Sequence, residues 1–315
     1  MISVVIPLYN KAHTITRTLG SVLKQSYSDF EVIIIDDGST DNGVEVIKEY
    51  TDDARVKIHS QNNKGVSAAR NLGVDMAIHD YIAFLDGDDE WLPDYLLKMS
   101  ETIHKFPEAG MICCAGIVKD NQGEHLRLAD KYQSQQTAID YFENPHVFTH
   151  TSATIVRKDA FLKTSGFPVG MKRNQDFALF FSIGLQGKVA YCGIPLSVYV
   201  GEVEGQTTNT PVEKVIDHII NRFNYVQNES KKYPENPTYI IFTKYEIRHY
   251  ILSFVRQQKY PILNTFINNL SDDIIAYFRA FELKIYQTEK LKYLAVFLLL
   301  IGKFRWRMKG YPRVK

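Results

Sequence analysis

Through the first third of the chain, short apolar runs closed by polar or turn-forming clusters alternate with segments whose apolar residues recur every three or four positions. Ile2 to Ile6 is a buried-looking run broken by Pro7-Leu8-Tyr9-Asn10, and Ile15, Leu19, Val22 and Leu23 follow at helical spacing. Val32 to Ile35 and then Val44 with Ile47 repeat the pair. Val56 to His59, the loop Gln61 to Gly65 and the Ala-rich stretch Val66 to Ala77 repeat it again. Tyr81 to Leu85 is a fourth run, and Leu96, Leu97 and Ile103 predict the next helix, with Pro93 in its first turn. This reads as βαβαβαβ, which builds a mostly parallel sheet flanked by helices.

After Met111 the pattern mixes. Strands are expected at Met111 to Val118, Ser152 to Val156 and Val189 to Cys192, with a helix at Gln175 to Leu185, forming an α+β extension that closes over the sheet edge. Beyond Gly205 the chain becomes rich in Ile, Phe, Tyr, Lys and Asn, is broken by Pro234, Pro237 and Pro261, and has helical periodicity at Val215 to Val226 and Tyr239 to Val255. The expected division is an α/β domain over residues 1–205 and a C-terminal helical appendage over 206–315, serving membrane-surface or oligomer contact. No internal repeat or low-complexity tract interrupts it.

Composition narrows the setting. At 315 residues, 45% hydrophobic and 23% charged with a net charge of +1, the chain is an ordinary globular protein without a general polyanion-binding surface, so no nucleic-acid partner is expected. Cys113, Cys114 and Cys192 lack metal-ligand spacing and read as small core residues, consistent with a reduced, cytoplasmic setting. The first strand starts at Ile2 with no basic leader and apolar core before it, so no signal peptide is expected.

Chemistry concentrates at the ends of the apolar runs. Asp86, Asp88 and Asp89 follow Tyr81 to Leu85 in Phe84-Leu-Asp-Gly-Asp-Asp-Glu-Trp-Leu-Pro93, and Asp36-Asp37 follows Val32 to Ile35. Ligands of open α/β sheets gather at the carboxyl ends of strands, and clustered carboxylates there suit a hard divalent cation bound to a diphosphate. The alternative for each Asp is a turn or helix cap, which Asp89 in particular is expected to provide for the following helix.

Four segments in order, Val4-Val5-Ile6-Pro7-Leu8-Tyr9-Asn10, Glu31 to Asp41, Gly65-Val66-Ser67-Ala68-Ala69-Arg70-Asn71 and the Asp86 cluster, resemble family 2 glycosyltransferases over residues 1–200. The resemblance implies a glycosyltransferase-A fold, a nucleoside-diphosphate sugar donor, uridine-linked, and Mn2+ or Mg2+. It assigns Pro7, Tyr9, Asp37, Arg70 and Asp86 to the nucleotide, with Tyr9 stacking on the base, Asp37 accepting from the base edge and Arg70 meeting diphosphate oxygens; Lys64 is a weaker phosphate candidate. It makes Asp88, with Asp86, the metal site.

Asn174-Gln175-Asp176-Phe177-Ala178-Leu179 occupies the place of the family's Glu-Asp-aliphatic motif, departing from it at Gln175. Asp176 is thereby the candidate base of an inverting displacement; an N-cap is the alternative from the residues alone. His150-Thr151-Ser152 is a candidate acceptor-pocket segment outside the catalytic set. No Gln-x-x-Arg-Trp motif follows Asp176, because Arg305-Trp306 is distant and lacks the Gln, so one sugar per encounter is expected rather than processive synthesis. A glycan or lipid-linked sugar is the expected acceptor.

Leu294 to Ile301 is apolar but shorter than the ~20 residues of a membrane span. Lys303, Arg305, Trp306, Arg307, Lys309, Arg313 and Lys315 follow it without an acid. Peripheral attachment to the inner face of an anionic membrane and packing as a solvated helix end are both open readings. Oligomerisation is open as well. The competing functions are a silent nucleotide-sugar-binding scaffold and a sugar nucleotidyltransferase, the latter opposed by the lack of an N-terminal Gly-rich phosphate loop.

Overall fold

The computed structural model describes residues 1–144, 147, 150–201 and 211–308. These form two compact units, one of residues 1–141, 147 and 150–201, the other of 142–144 and 211–308. The expected boundary at 205/206 lies outside the described residues, as do Lys309, Arg313 and Lys315.

The first unit alternates as its sequence does: β1 (Ile2–Leu8), α1 (Ile15–Leu23), β2 (Phe30–Asp36), α2 (Gly43–Tyr50), β3 (Val56–Ser60), α3 (Val66–Met76) and β4 (Tyr81–Phe84). β5 (Glu90–Trp91), α4 (Tyr95–Lys105), β6 (Met111–Asp120), β7 (Gly123–Arg127) and β8 (Gln136–Ile139) follow. β9 (Thr154–Arg157), α5 (Lys158–Leu162), α6 (Gln175–Gly184) and β10 (Val189–Val200) complete it. The strands lie in the order β3-β2-β1-β4-β9-β6-β10-β5, with β7 beside β6 and β8 beside β10. β3, β2, β1 and β4 are mutually parallel, and β6 runs parallel to β10. β5, β7, β8 and β9 add antiparallel pairings. β1 and β2 are buried along their whole length, which is why their sequences are continuous apolar runs.

β1 does not break at Pro7 as expected but continues through Leu8, paired to Asp36 of β2. The Val5 carbonyl accepts from Leu85 on the β4 side, and Pro7, two residues on, turns its missing N–H to that same side. β4 has ended there, so no ladder hydrogen bond is lost. α3 lies tightly on β1: a Cβ added at Gly73 would come within 2.3 Å of Val5 Cγ1. Pro93 falls two residues before α4 rather than in its first turn, and its carbonyl accepts from Ser26 N.

The second unit is helical: α7 (Val212–Ser230), α8 (Pro237–Arg256), α9 (Tyr260–Asn268), α10 (Asp272–Ile275), α11 (Ala280–Gln287) and α12 (Lys292–Met308). Its core gathers Ile219, Phe223, Ile251, Phe254, Leu263, Phe266, Ala295 and Leu299. Among the described residues, no helix is long and apolar enough to cross a membrane.

Candidate active site

The parallel strands deliver their polar ends to one edge. Tyr9 is 47% exposed just past β1. Asn10 takes the left-handed conformation (φ 52°), accepts from Thr40 N with its side chain at 2.8 Å and donates its backbone N–H to Ser39 Oγ at 3.1 Å. These bonds fasten the turn after β2 to the end of β1.

Asp37 is 3% exposed and already engaged. Oδ1 accepts from Gln61 Nε2 at 2.7 Å and Lys64 N at 2.9 Å, and Oδ2 accepts from Gly65 N at 2.7 Å. Its first role is therefore to hold the loop that leads into α3. Gly65 carries φ 87° there, a backbone that a side chain would strain. The Lys64 side chain points to solvent.

That loop sets the start of α3 and, one turn on, Arg70. Its guanidinium is 3% exposed, lies over the Phe167 ring at 5.2 Å and donates from Nη2 to Asp86 Oδ1 at 2.5 Å. Nε and Nη1 are buried without a hydrogen-bond partner. A buried donor left unmade costs about 1–3 kcal/mol. An acceptor that draws the fork outward would relieve that cost, and in this state the guanidinium sits beneath Asp86 rather than at the open edge.

Asn71, the next residue, bonds the backbone of Phe167 in both directions at 2.9 Å. It thereby ties α3 to the Gly166-Phe167-Pro168 turn ahead of α6. Gly166 has φ 72°, and a Cβ there would come within 2.9 Å of Asn71 Oδ1.

The Asp86 cluster divides into three roles. Asp86 is one third exposed and held by Arg70. Asp88 Oδ2 takes the ammonium of Lys11 at 2.7 Å. Burial pushes the Asp88 carboxyl up, the neighbouring Asp86 charge adds to the rise, and Lys11 opposes it.

Asp89 does not cap α4 as expected. The short β5 intervenes and turns its side chain inward, where it accepts from Ser152 Oγ at 2.6 Å and Val200 N at 3.1 Å. Ser152 Oγ also accepts from Asp86 N at 3.1 Å, so Asp89 and Ser152 support the cluster from behind. His150 joins this support, with Nε2 3.1 Å from Ser197 Oγ and Nδ1 3.4 Å from Asp89 Oδ2. Asp89, Ser152 and Ser197 are buried, and only the His150 side chain, 13% exposed, reaches toward solvent from this row.

Asp176 lies in the first turn of α6, whose N-cap is Asn174 in the left-handed conformation (φ 63°). Its Oδ1 accepts from Phe177 N at 2.8 Å. Burial pushes its carboxyl up despite that bond; the Arg70 charge opposes the rise and the Asp86 charge favours it, so all three act within one electrostatic field. Gln175 Oε1 is buried without a hydrogen-bond partner.

The donor set tests the implied metal. Asp86 and Asp88 supply two hard carboxylates in a locally negative, part-buried setting, and no group of three or more His, Cys, Asp or Glu side chains is poised to hold a metal among the described residues. That suits Mg2+ or Mn2+ held by one or two carboxylates together with substrate phosphates, and not a cage made by protein alone.

Sequence reasoning missed Lys11, the tie that Asn71 makes to Phe167, the support that Ser152 gives the Asp cluster and the inward role of Asp89. Their partners lie 61 to 111 residues away, and no local pattern marks such pairs.

The chain resembles known proteins over its whole length in fold and over as much as 73% of it in sequence. An uncharacterized glycosyltransferase of Rickettsia conorii is 30% identical over 233 residues, 73% of this chain and 37% of that protein. One of Haemophilus influenzae is 45% identical over 100 residues, 31% of this chain and 40% of that protein. The chain thus spans well under two thirds of these relatives' length. The crystal structure of S. aureus TarS 1–349 in complex with UDP-GlcNAc superposes with a TM-score of 0.71 at 18% identity, covering 100% of this chain and 93% of that one. Residues 3–164 match the model of glycosyl transferase family 2, and the chain belongs to that family.

Proposed function

We infer that the protein is an inverting glycosyltransferase that moves a sugar from a nucleoside-diphosphate donor, UDP-linked, to a hydroxyl of a glycan or lipid-linked acceptor. The observation that carries this reading is the convergence of Arg70, Asp86, Asp88 and Asp176 at one strand edge, with Arg70 holding two partnerless donors and Asp176 a raised carboxyl pKa. The UDP-GlcNAc bound by TarS makes that donor the first to test.

In this mechanism Tyr9 offers a face for the base, and Asp37 orders the loop beneath it. The Arg70 fork turns outward to the diphosphate, an exchange of one anionic partner for another. Asp176, ionised, takes the proton of the acceptor hydroxyl as that oxygen attacks the anomeric carbon. The bond from that carbon to the diphosphate oxygen breaks on the opposite face, and the configuration inverts. Asp86 and Asp88 would hold the divalent cation, which when bound supplies Lewis-acid neutralisation of charge on the departing diphosphate.

Titration of the protein with UDP by calorimetry, with and without Mn2+ and beside Asp88→Asn, tests the donor site. Metal-dependent binding lost in the variant supports it. Donor turnover that disappears in Asp176→Asn separates the enzyme from a silent nucleotide-binding scaffold, which would bind UDP and turn nothing over in either form.

A further inference from the structure

The last helix of the second unit has two apolar faces. Ala295, Leu299 and Trp306 face inward, with Trp306 stacked on Tyr245 at 4.1 Å. The other face is open: Tyr293 is 87% exposed, Phe297 61%, Phe304 63% and Met308 72%, with Leu300 and Leu294 about two fifths exposed. Positions 293, 297, 300, 304 and 308 share one side of an α-helix and form a stripe about 22 Å long. Phe281 of α11 and Leu291 before α12 are exposed as well. A row of five large apolar side chains exposed along one helix face exceeds the single exposed hydrophobes that are ordinary on a protein surface.

Charge selects what docks. From Leu291 to Lys315 the sequence holds Lys292, Lys303, Arg305, Arg307, Lys309, Arg313 and Lys315 and no Asp or Glu. Because the whole chain carries +1, its other residues together carry six more acids than bases. Arg305 is exposed beside the stripe, whereas Lys303 turns inward to His249 Nδ1 at 3.2 Å. An apolar, aromatic stripe on a stretch of cations without acids complements a surface that is apolar at depth and anionic at its rim.

We propose that α12 is an in-plane membrane-docking helix, whose Tyr293-Phe297-Leu300-Phe304-Met308 face enters the interface of an anionic leaflet while the adjacent cations meet its headgroups. The apolar face carries the binding, and the basic segment selects the lipid. This goes beyond the functional reading, since docking requires neither donor nor transfer; it would bring the chain to a lipid-linked acceptor.

The test is co-sedimentation of the full chain with vesicles of phosphatidylcholine containing about 30 mol% phosphatidylglycerol, a strongly anionic surface, against neutral vesicles of pure phosphatidylcholine. Binding to the anionic vesicles, weakened by salt, is expected, with a loss of roughly tenfold or more in Phe297→Glu/Phe304→Glu. The milder Phe297→Ser/Phe304→Ser pair gives a smaller loss and serves if the charged pair misfolds. Helical circular dichroism and UDP binding are expected to stay unchanged in both. No vesicle binding, or binding that both variants retain, overturns the proposal. So does a dimer in sedimentation velocity that the variants dissociate, since the face then meets a second copy. A protein that docks but turns over no donor leaves docking standing and sinks only the enzymatic reading.

Discussion

The two units depart from ordinary globular chemistry in opposite directions. The sheet unit buries charge: Arg70 lies under Asp86 with two donors unmet, and Asp88 and Asp176 hold raised carboxyl pKa values. The helical unit exposes hydrocarbon along α12. Buried charge is not in itself the mark of a site, because the helical unit has its own buried cation. Arg222 is buried, lies over the Phe223 ring at 4.3 Å and pairs through Nη1 with Glu246 at 3.0 Å. The difference lies in the anionic partner. Glu246 is mostly enclosed, 14% exposed, whereas Asp86 is one third exposed at a strand edge beside two further carboxylates. An arginine whose partner faces the open edge can exchange it for a ligand; one whose partner is enclosed can only hold the fold.

The sharpest way to break this contrast is Asp176→Asn. Removal of a general base costs about 10²–10⁴ in kcat, so turnover should nearly vanish while UDP binding stays. Stability should move the other way. The folded carboxyl binds its proton more tightly than in the unfolded chain, so it supports the fold below the ordinary Asp value of about 3.9 and withdraws that support as pH rises through the higher folded value. Asn carries no such penalty, and thermal melts at pH 7 should show a higher Tm for the variant. An unchanged turnover would remove Asp176 from the mechanism. A lower Tm would mean that its carboxylate stabilises the fold.

Next in size is the pair of arginines. Arg222→Met leaves Glu246 buried without its cation and should cost about 3–5 kcal/mol in denaturant unfolding, with much of the loss recovered when Glu246→Met is added. Arg70→Lys should leave stability closer to the parent and weaken UDP binding by roughly tenfold, because an ammonium cannot replace a planar fork. If Arg70→Lys proves the more destabilising and leaves UDP affinity intact, Arg70 is structural and the contrast fails. A smaller effect should appear in the pH profile. The raised Asp176 carboxyl moves the acidic limb of kcat/KM above the ordinary Asp range, activity rising with pH across it. A limb at the ordinary value would show that the group limiting activity in acid is not the buried Asp176 carboxyl.

How much of this was legible in the sequence follows from the range of the interactions involved. β1 to β4 and the helices between them are written in local periodicity, and their strand ends carry the acidic clusters, so the edge with Asp86 and Asp88 can be marked from the chain alone, whereas Asp176, on α6, is singled out only by the resemblance to family 2 glycosyltransferases. β5, β7 and β8 are short or fully exposed, with no apolar run to mark them. Pro7 looked like a strand breaker because local chemistry does not reveal that β4 has already ended beside it. Asp89 looked like a cap because nothing near it in sequence reveals Ser152 and Val200 behind it. The open face of α12 was hidden for a related reason: Leu294 to Ile301 is apolar all round, and only packing shows which side is covered.

The smallest predicted effect concerns Lys11, which answers Asp88 from 77 residues away. Its ammonium occupies the carboxylate oxygen nearest to hand, at 2.7 Å, in a place where a divalent cation would also bind. The two cations compete unless the metal takes the other oxygen. Both partners of the ion pair are partly shielded, and pairs of this strength are worth about 0.2–1 kcal/mol. Lys11→Met should therefore tighten Mn2+ binding in the presence of UDP by roughly two- to fivefold, read from the free Mn2+ signal in electron paramagnetic resonance. Weaker Mn2+ binding would mean that Lys11 assists the site, by holding Asp88 in place or by sharing the diphosphate charge. Unchanged binding would assign the metal to the far oxygen of Asp88 and leave Lys11 as the support of α1 against the Asp cluster.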